Sequence, residues 1–235
     1  MNSELGVIGG TAFRDRGLLS GFKEKKVSTD FGQVILLQGE DFVFLPRHGL
    51  GKSIPPHKIN HHADVMALAK AGATDVVGVC SVGGLKTAFQ PGMLVVPKDY
   101  VSMCGVPTFF DKEAKHITPS LDLSLRQKII ACGKKLSLKM FDGGVYVQTQ
   151  GPRLETKAEV RFLATLGDVV GMTMASEATL AQEAGLNYAS ICSVDNFAHG
   201  VTDKLIDFAE VVRTSGRGSK EILGLLGYVA RKRVS

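Results

Sequence analysis

The chain has 235 residues, 44% of them hydrophobic and 22% charged, which excludes a disordered or fibrous protein and fits one α/β domain over residues 1–235 better than two small ones. The formal charge of +5 includes the terminal run Arg231-Lys232-Arg233, which reads as a solvated tail, so no nucleic-acid surface is expected. No run approaches the ~20 apolar residues that span a bilayer, and MNSELGVIGG does not read as a secretory leader, so neither membrane nor export is expected.

In chain order, LGVIGG reads as a first buried strand ending in glycines. GQVILLQGEDFVFLPRHG reads as two strands joined by a tight turn near Gly39, Glu40 and Asp41. INHHADVMALAKAGA has helical periodicity, with Ala63, Met66, Ala67 and Ala71 on one face and Gly72 as a stop. DVVGVCSVGGL is an apolar run of the kind found in central parallel strands, and MLVVPKDYV reads as another strand. LDLSLRQKIIACGKKL is helical after Pro119-Ser120, and GGVYVQTQGP is a strand ending at Gly151-Pro152. TKAEVRFLATLG is a helix, VVGMTM a strand end, and ASEATLAQEAG a helix for which Ser176 is a better-placed cap than Thr173. YASICSVDNFAHG is a last long strand, and the chain closes in helix from about Asp203. The alternation predicts a mixed, largely parallel twisted sheet with helices on both faces. The segment from Val101 to Pro119 is the least regular, which marks it as a functional loop.

Ligands of open α/β sheets sit beyond the carboxyl ends of the strands. The residues that follow the strands here are Gly9, Gly10 and Thr11; Arg47 and His48; Cys80 to Gly84; Gly151 to Glu155; Met172, Thr173 and Glu177; and Asp195, Asn196 and His199. Hydroxyls, glycine amides, a guanidinium and a few carboxylates and amides suit an oxyanion together with a polar heterocycle or sugar. One small anion shared by Arg47-His48 and the Thr173 to Glu177 turn explains both clusters. There is no G-x-S-x-G elbow, and His57, His61 and His62 lack the spacing and partner Glu of a metal site, so no metal is expected. The cysteines Cys80, Cys104, Cys132 and Cys192 form no C-x-x-C pair and read as free thiols of a cytoplasmic protein. A dinucleotide enzyme would need an acidic residue about 20 residues after the glycines, within a βαβ unit. STDFGQVILL runs directly into strands instead. A nucleoside-binding protein without turnover would keep the same pocket.

The ordered blocks GVIGGT, LPRHG, IPPHKINHHADVMAL, CSVGGL…QPGMLVVPKDYV, TFFD, QGPRLET, VVGMTMASEATLAQEAGLNYASI and SVDNFAHG resemble those of the trimeric purine nucleoside phosphorylases, most closely the 5′-methylthioadenosine and 5′-methylthioinosine phosphorylase branch. The resemblance runs from about Gly6 to the C-terminal helix. It implies a nucleoside phosphorylase-like fold and reversible phosphorolysis of a purine nucleoside to free base and ribose 1-phosphate or its 5-methylthio analogue. Inorganic phosphate would be a co-substrate, with no cofactor, in a homotrimer or a dimer of trimers. Matched residue by residue, the phosphate site falls on Thr11, Arg47, His48, Ser81 and Thr173, with Arg47 offering a bidentate fork. Cys80 stands where the family often has Thr or Asn. Met172 would lie under the ribose. His48, Asp195 and Asn196 form the expected catalytic set: Asn196 meets N7 of the leaving purine, and Asp195, where many members have Thr, either helps deliver a proton or points into the structure.

Substrate preference is implied in the same way. Glu155 as an acceptor for N1–H and Asn196 as a donor to O6 resemble the 6-oxopurine type, whereas members using adenine nucleosides tend to have Ser and Asp there. Leu154 replaces a Phe that often stacks on the base. Phe208 stands where the 5′-hydroxyl-specific branch has a His, which favours a methylthio group and 5′-methylthioinosine as substrate. A 5′-methylthioadenosine phosphorylase and a general inosine or guanosine phosphorylase are the alternatives. His116 matches a residue that reaches the neighbouring subunit's sugar site.

Overall fold

The computed structural model describes residues 4–13, 15–50 and 53–232, with 4, 16, 208–210, 212 and 217 described by backbone alone. Among these, β1 (Glu4–Gly9), β2 (Lys23–Thr29), β3 (Gly32–Gln38) and β4 (Phe42–Pro46) precede helix α1 (His61–Lys70). Then come β5 (Ala73–Gly84), β6 (Leu94–Val96), β7 (Asp99–Ser102), α2 (Leu123–Lys135), β8 (Met140–Asp142) and β9 (Val145–Gln148). The rest is α3 (Lys157–Leu166), β10 (Val169–Gly171), α4 (Met174–Glu183), β11 (Asn187–Phe197), α5 (Phe208–Arg217) and α6 (Ser219–Arg231).

The strands form one mixed sheet in the order β2-β3-β4-β1-β5-β10-β9-β7, with β11, β6 and β8 joined through the other edge of β5. The helices cover both faces, as the alternation of elements implies. Side chains on β5 alternate between the two layers. Val76, Cys80 and Val82 pack with α1 and α4 residues such as Leu68 and Leu180, while Val77 and Val79 pack with Ile129 of α2 and Leu225 of α6. No helix among the described residues is long and apolar enough to cross a membrane.

Three strand readings change. MLVVPKDYV is two strands, because Pro97 intervenes and the halves have different partners: β6 joins β11 and β8, whereas β7 joins β9. β2 reads KEKKVST and escapes an apolar-run search, since its lysines face water on the sheet's edge. The three-residue β8 is too short for any periodicity. The apolar face of α1 is Ala63, Val65, Ala67 and Leu68, with Met66 only half-buried. The segment after β7 is irregular through residue 120, as expected.

What positions the site is the length of β5. Its first half pairs with β1 as far as Gly9 opposite Val79. Its end pairs with β10, Gly83 opposite Val170, and in the antiparallel sense. Cys80, Ser81 and Val82 therefore lie between the end of one strand and the start of the next, where the sheet opens.

Candidate functional site

The apolar strand β4 delivers Arg47 to this opening, and the Arg47 amide still donates to Gly9 O at 2.9 Å. The guanidinium is only 3% exposed. Nη1 donates to Val79 O at 2.7 Å, and Nη2 lies 3.3 Å from Ile8 O and 3.5 Å from Cys80 Sγ. The fork formed by Nε and Nη2 faces Glu177, 2.5 Å from Oε1 and 3.1 Å from Oε2. Glu177 is 1% exposed and also accepts from the Tyr188 hydroxyl at 2.8 Å. Burial opposes the charge on Arg47, but Glu177, Cys80 and Tyr188 together outweigh it and hold the guanidinium pKa above its ordinary value.

This corrects the expectation of a bidentate phosphate fork. The Nε and Nη2 fork of Arg47 is engaged by Glu177, and Nη1 is the edge turned toward Gly10. A Cβ on Gly10 would overlap Nη1 and lie 3.7 Å from His48 Nε2, so both groups converge on a backbone position that only glycine leaves clear. The His48 ring is oriented by Nδ1–H donating to Ile54 O at 2.8 Å, which turns Nε2 toward Gly10. Thr11 follows at once, opening a single 3-10 turn over Thr11–Phe13. Thr173 sits at the cap position just before α4, 7% exposed, with Oγ1 4.0 Å from Cys80 Sγ. The cap reading changes too: α4 starts at Met174, and neither Thr173 nor Ser176 caps it. The Cys80 thiol pKa is lowered by a hydrogen bond with Cys192 and by Arg47. Behind Arg47, burial pushes the His61 imidazole down to about 4, and burial together with Glu177 pushes the Asp64 carboxyl up to about 7.

A cleft of about 900 Å³ is lined by Met172, Glu155, Gln148, Ser176, His57 and His61, among others, while Gly10 and His48 line a separate cavity of about 500 Å³. Glu155 Oε1 accepts from the Thr149 hydroxyl at 2.6 Å, and its carbonyl accepts from His199 Nδ1 at 3.1 Å. Asn196 does not line this cleft. It borders a smaller cavity of about 80 Å³ with Asp195, Lys204, Leu205 and Asp207, and its Nδ2 donates to Phe197 O at 2.7 Å.

Asp195 takes the inward alternative. It occupies a bulge, since Val194 pairs with Val82 and Asn196 already pairs with Gly83. Its carboxylate is buried and accepts from Ser193 Oγ at 2.6 Å and from Ser81 Oγ. Burial pushes its pKa up to about 6, against the pull of these hydroxyls. The Ser81 hydroxyl is thus directed at Asp195. Leu154 is 44% exposed and does not line the cleft, and His116 is exposed in the irregular segment. The side chain of Phe208 lies outside the described residues; its backbone begins α5. Among the described residues, no cluster of His, Cys, Asp and Glu could hold a metal ion.

Sequence reasoning missed Tyr146, Gln148 and Tyr188, which hold the loop and the ion pair from behind. The available signal was the spacing of Tyr146 and Gln148, which puts two polar-tipped side chains on one face of a buried strand.

The model of the phosphorylase superfamily matches residues 4–230. A probable 6-oxopurine nucleoside phosphorylase of Archaeoglobus fulgidus is 37% identical over 233 residues, covering 97% of this chain and 96% of the relative. A probable S-methyl-5′-thioinosine phosphorylase of Xanthomonas campestris is 38% identical over 242 residues, covering 97% of each. Among solved structures, methylthioadenosine phosphorylase from Schistosoma mansoni in complex with adenine superposes with a TM-score of 0.87 at 26% identity, covering 97% of this chain and 91% of that one.

Proposed function

The chain belongs to the phosphorylase superfamily, and we propose that it cleaves a purine nucleoside with inorganic phosphate, preferring a 6-oxopurine base and a 5′-methylthio sugar. The observation that carries the phosphate reading is the convergence of Arg47 Nη1 and His48 Nε2 on Gly10, at the opening in the sheet. There Thr11, Arg47, His48, Thr173 and the strand segment at Ser81 cradle a phosphate. Arg47 contributes one fixed N–H and Thr173 a hydroxyl.

Phosphate attacks C1′ of the ribose as the N-glycosidic bond breaks. The sugar becomes cation-like, and the purine leaves with negative charge. The site works by holding the two reactants in line and by placing donors where charge develops. Met172 underlies the sugar, and Glu155 accepts from N1–H of the base. Asn196 reaches N7 and O6 once its amide leaves the Phe197 carbonyl. Asp195, held by two serine hydroxyls, supports the strand that carries Asn196. The relatives named above include 6-oxopurine and methylthioinosine phosphorylases, in keeping with the Glu155 and Asn196 pair. The second reading, 5′-methylthioadenosine, is favoured by the solved neighbour and by an S-methyl-5′-thioadenosine phosphorylase of Hyperthermus butylicus, 37% identical over 210 residues.

The active unit is a homotrimer or a dimer of trimers, with His116 reaching a neighbour's sugar site. Met103, Val106 and Phe162 line the cleft yet remain exposed, an apolar rim that a second copy would cover. Initial rates on inosine, adenosine and their 5′-methylthio analogues, with and without phosphate, test the function. Cleavage that does not depend on phosphate rejects it. Sedimentation analysis tests the assembly.

A further inference from the structure

The start of α4 carries four amides that the helix cannot satisfy itself. A threonine at the cap position ordinarily accepts from the second or third of the helical amides. Thr173 holds that position with φ −139°, yet its side chain makes no capping bond. The work is done from strand β9. Gln148 Oε1 accepts from Ala175 N at 2.7 Å and from Ser176 N at 3.2 Å, the two amides a threonine cap would take. Tyr146 Oη lies 3.3 Å from Thr173 N and 3.5 Å from Met174 N and accepts from both.

The arrangement is built in several layers. Gln148 Nε2 donates to Ser176 Oγ at 2.8 Å, which obliges its oxygen to face the helix amides. Tyr146 and Gln148 are two apart on one strand, so they share a face. β9 pairs in parallel with β10, Gln148 opposite Gly171, and Gly171 leads through Met172 directly into Thr173. A Cβ on Gly171 would overlap the Tyr146 hydroxyl, so glycine there is what lets the phenol pass. Both side chains are buried, and burial raises the Tyr146 pKa, which keeps it a neutral phenol.

We infer that Gln148 and Tyr146 are positioning residues that cap α4 in place of Thr173 and so leave the Thr173 hydroxyl to donate to the substrate oxyanion. The inference rests on the reading of Thr173 as a phosphate ligand. It follows from the partners of the hydroxyl: among the described residues, Thr173 Oγ1 has only Cys80 Sγ, at 4.0 Å, as a polar neighbour, whereas a capping threonine would be drawn toward the helix amides and away from the opening. Removing Gln148 strands two buried amides. The acceptor placed by the chain to rescue them is Thr173 Oγ1.

The test is a double-mutant cycle read in KM for phosphate. T173V should raise that KM about tenfold, the scale of one hydrogen bond to a charged group. Q148M should raise it by a similar factor and by more than it raises the nucleoside KM, and Q148M/T173V should be no worse than T173V. A crystal structure of Q148M should show Thr173 Oγ1 rotated to within hydrogen-bonding distance of Ala175 N or Ser176 N. If Q148M does not fold, Y146F should give a smaller effect with the same split between the two KM values. The inference is overturned if the phosphate KM of Q148M stays at the wild-type value, if the two substitutions multiply, or if Thr173 keeps its rotamer. A wild-type protein without phosphate-dependent cleavage refutes the functional reading instead, and the rotamer in Q148M still decides the exchange of caps.

Discussion

The anion end and the base end of the candidate site are built by different means. At the anion end, Arg47, Glu177 and Tyr188 form a buried hydrogen-bonded chain anchored to the carbonyls of Ile8 and Val79, and α4 is tied down by Tyr146 and Gln148. At the base end, Asn196 bonds its neighbour's carbonyl, Leu154 is exposed, and the walls draw on the irregular segments at residues 103–107 and 202–207. The difference teaches where tolerance lies. A charge taken out of water must keep its partner, so the anion end resists change. Loop walls carry few buried polar obligations, so specificity can drift there.

The largest effect should come from breaking the first region. Arg47→Ala leaves Glu177 buried without its cation and should cost about 3–5 kcal/mol of folding stability, measured by urea unfolding, along with a large rise in phosphate KM. Replacing the pair together, Arg47→Met with Glu177→Leu, should recover most of the stability but none of the phosphate dependence. Wild-type stability in Arg47→Ala would show that the pair is not the anchor.

Next in size, Asn196→Asp should move the ratio of kcat/KM values for 5′-methylthioinosine and 5′-methylthioadenosine toward the amino base by about a hundredfold, because a carboxylate accepts from N6 and cannot donate to O6. Wild type should itself favour the 6-oxo substrate. If it does not, Asp195 is the first residue to reconsider.

Asp195 separates the two regions by pH. Its folded pKa of about 6 lies above the ordinary carboxylate value, so the folded state binds the proton more tightly than the unfolded chain. Its contribution to stability is fully present below about pH 4 and is lost as pH rises through 6. Asp195→Asn should therefore be about 3 kcal/mol more stable than wild type at pH 8, with the gap closing as pH falls from about 6 to about 4. Unfolding curves at pH 4.5 and 8, chosen at roughly the two ends of that range, check the sign. A gap that widens toward acid would mean the serine hydroxyls outweigh burial.

The smallest effect belongs to the 5′ end of the proposed sugar site. Phe208→His should narrow the preference for 5′-methylthioinosine over inosine by about tenfold, the order of one buried hydroxyl gaining a partner. Equal kcat/KM values for the two substrates in wild type would leave a general 6-oxopurine nucleoside phosphorylase.

Much was legible in the sequence because it was local. The apolar runs that became β1, β4 and β5 declare themselves by burial on both faces, and α1 and α3 by their spacing and caps. The ordered motifs carried the family, and the resemblance implied one phosphate site on Thr11, Arg47, His48, Ser81 and Thr173. What tertiary structure alone decided is which of these groups face each other. Arg47 and Glu177 are 130 residues apart, and both look like ligand residues until the register of β1, β4 and β5 sets their side chains 2.5 Å apart. Asp195 looked like an acid beside the base, but the bulge in β11 turns it toward Ser81 and Ser193. Thr173 looked like a helix cap or a ligand, and the pairing of β9 with β10 brings in the side chains that leave it uncapped. Periodicity tells which face of its own element a side chain takes. Its partner across the sheet is set by register, which depends on every strand between them.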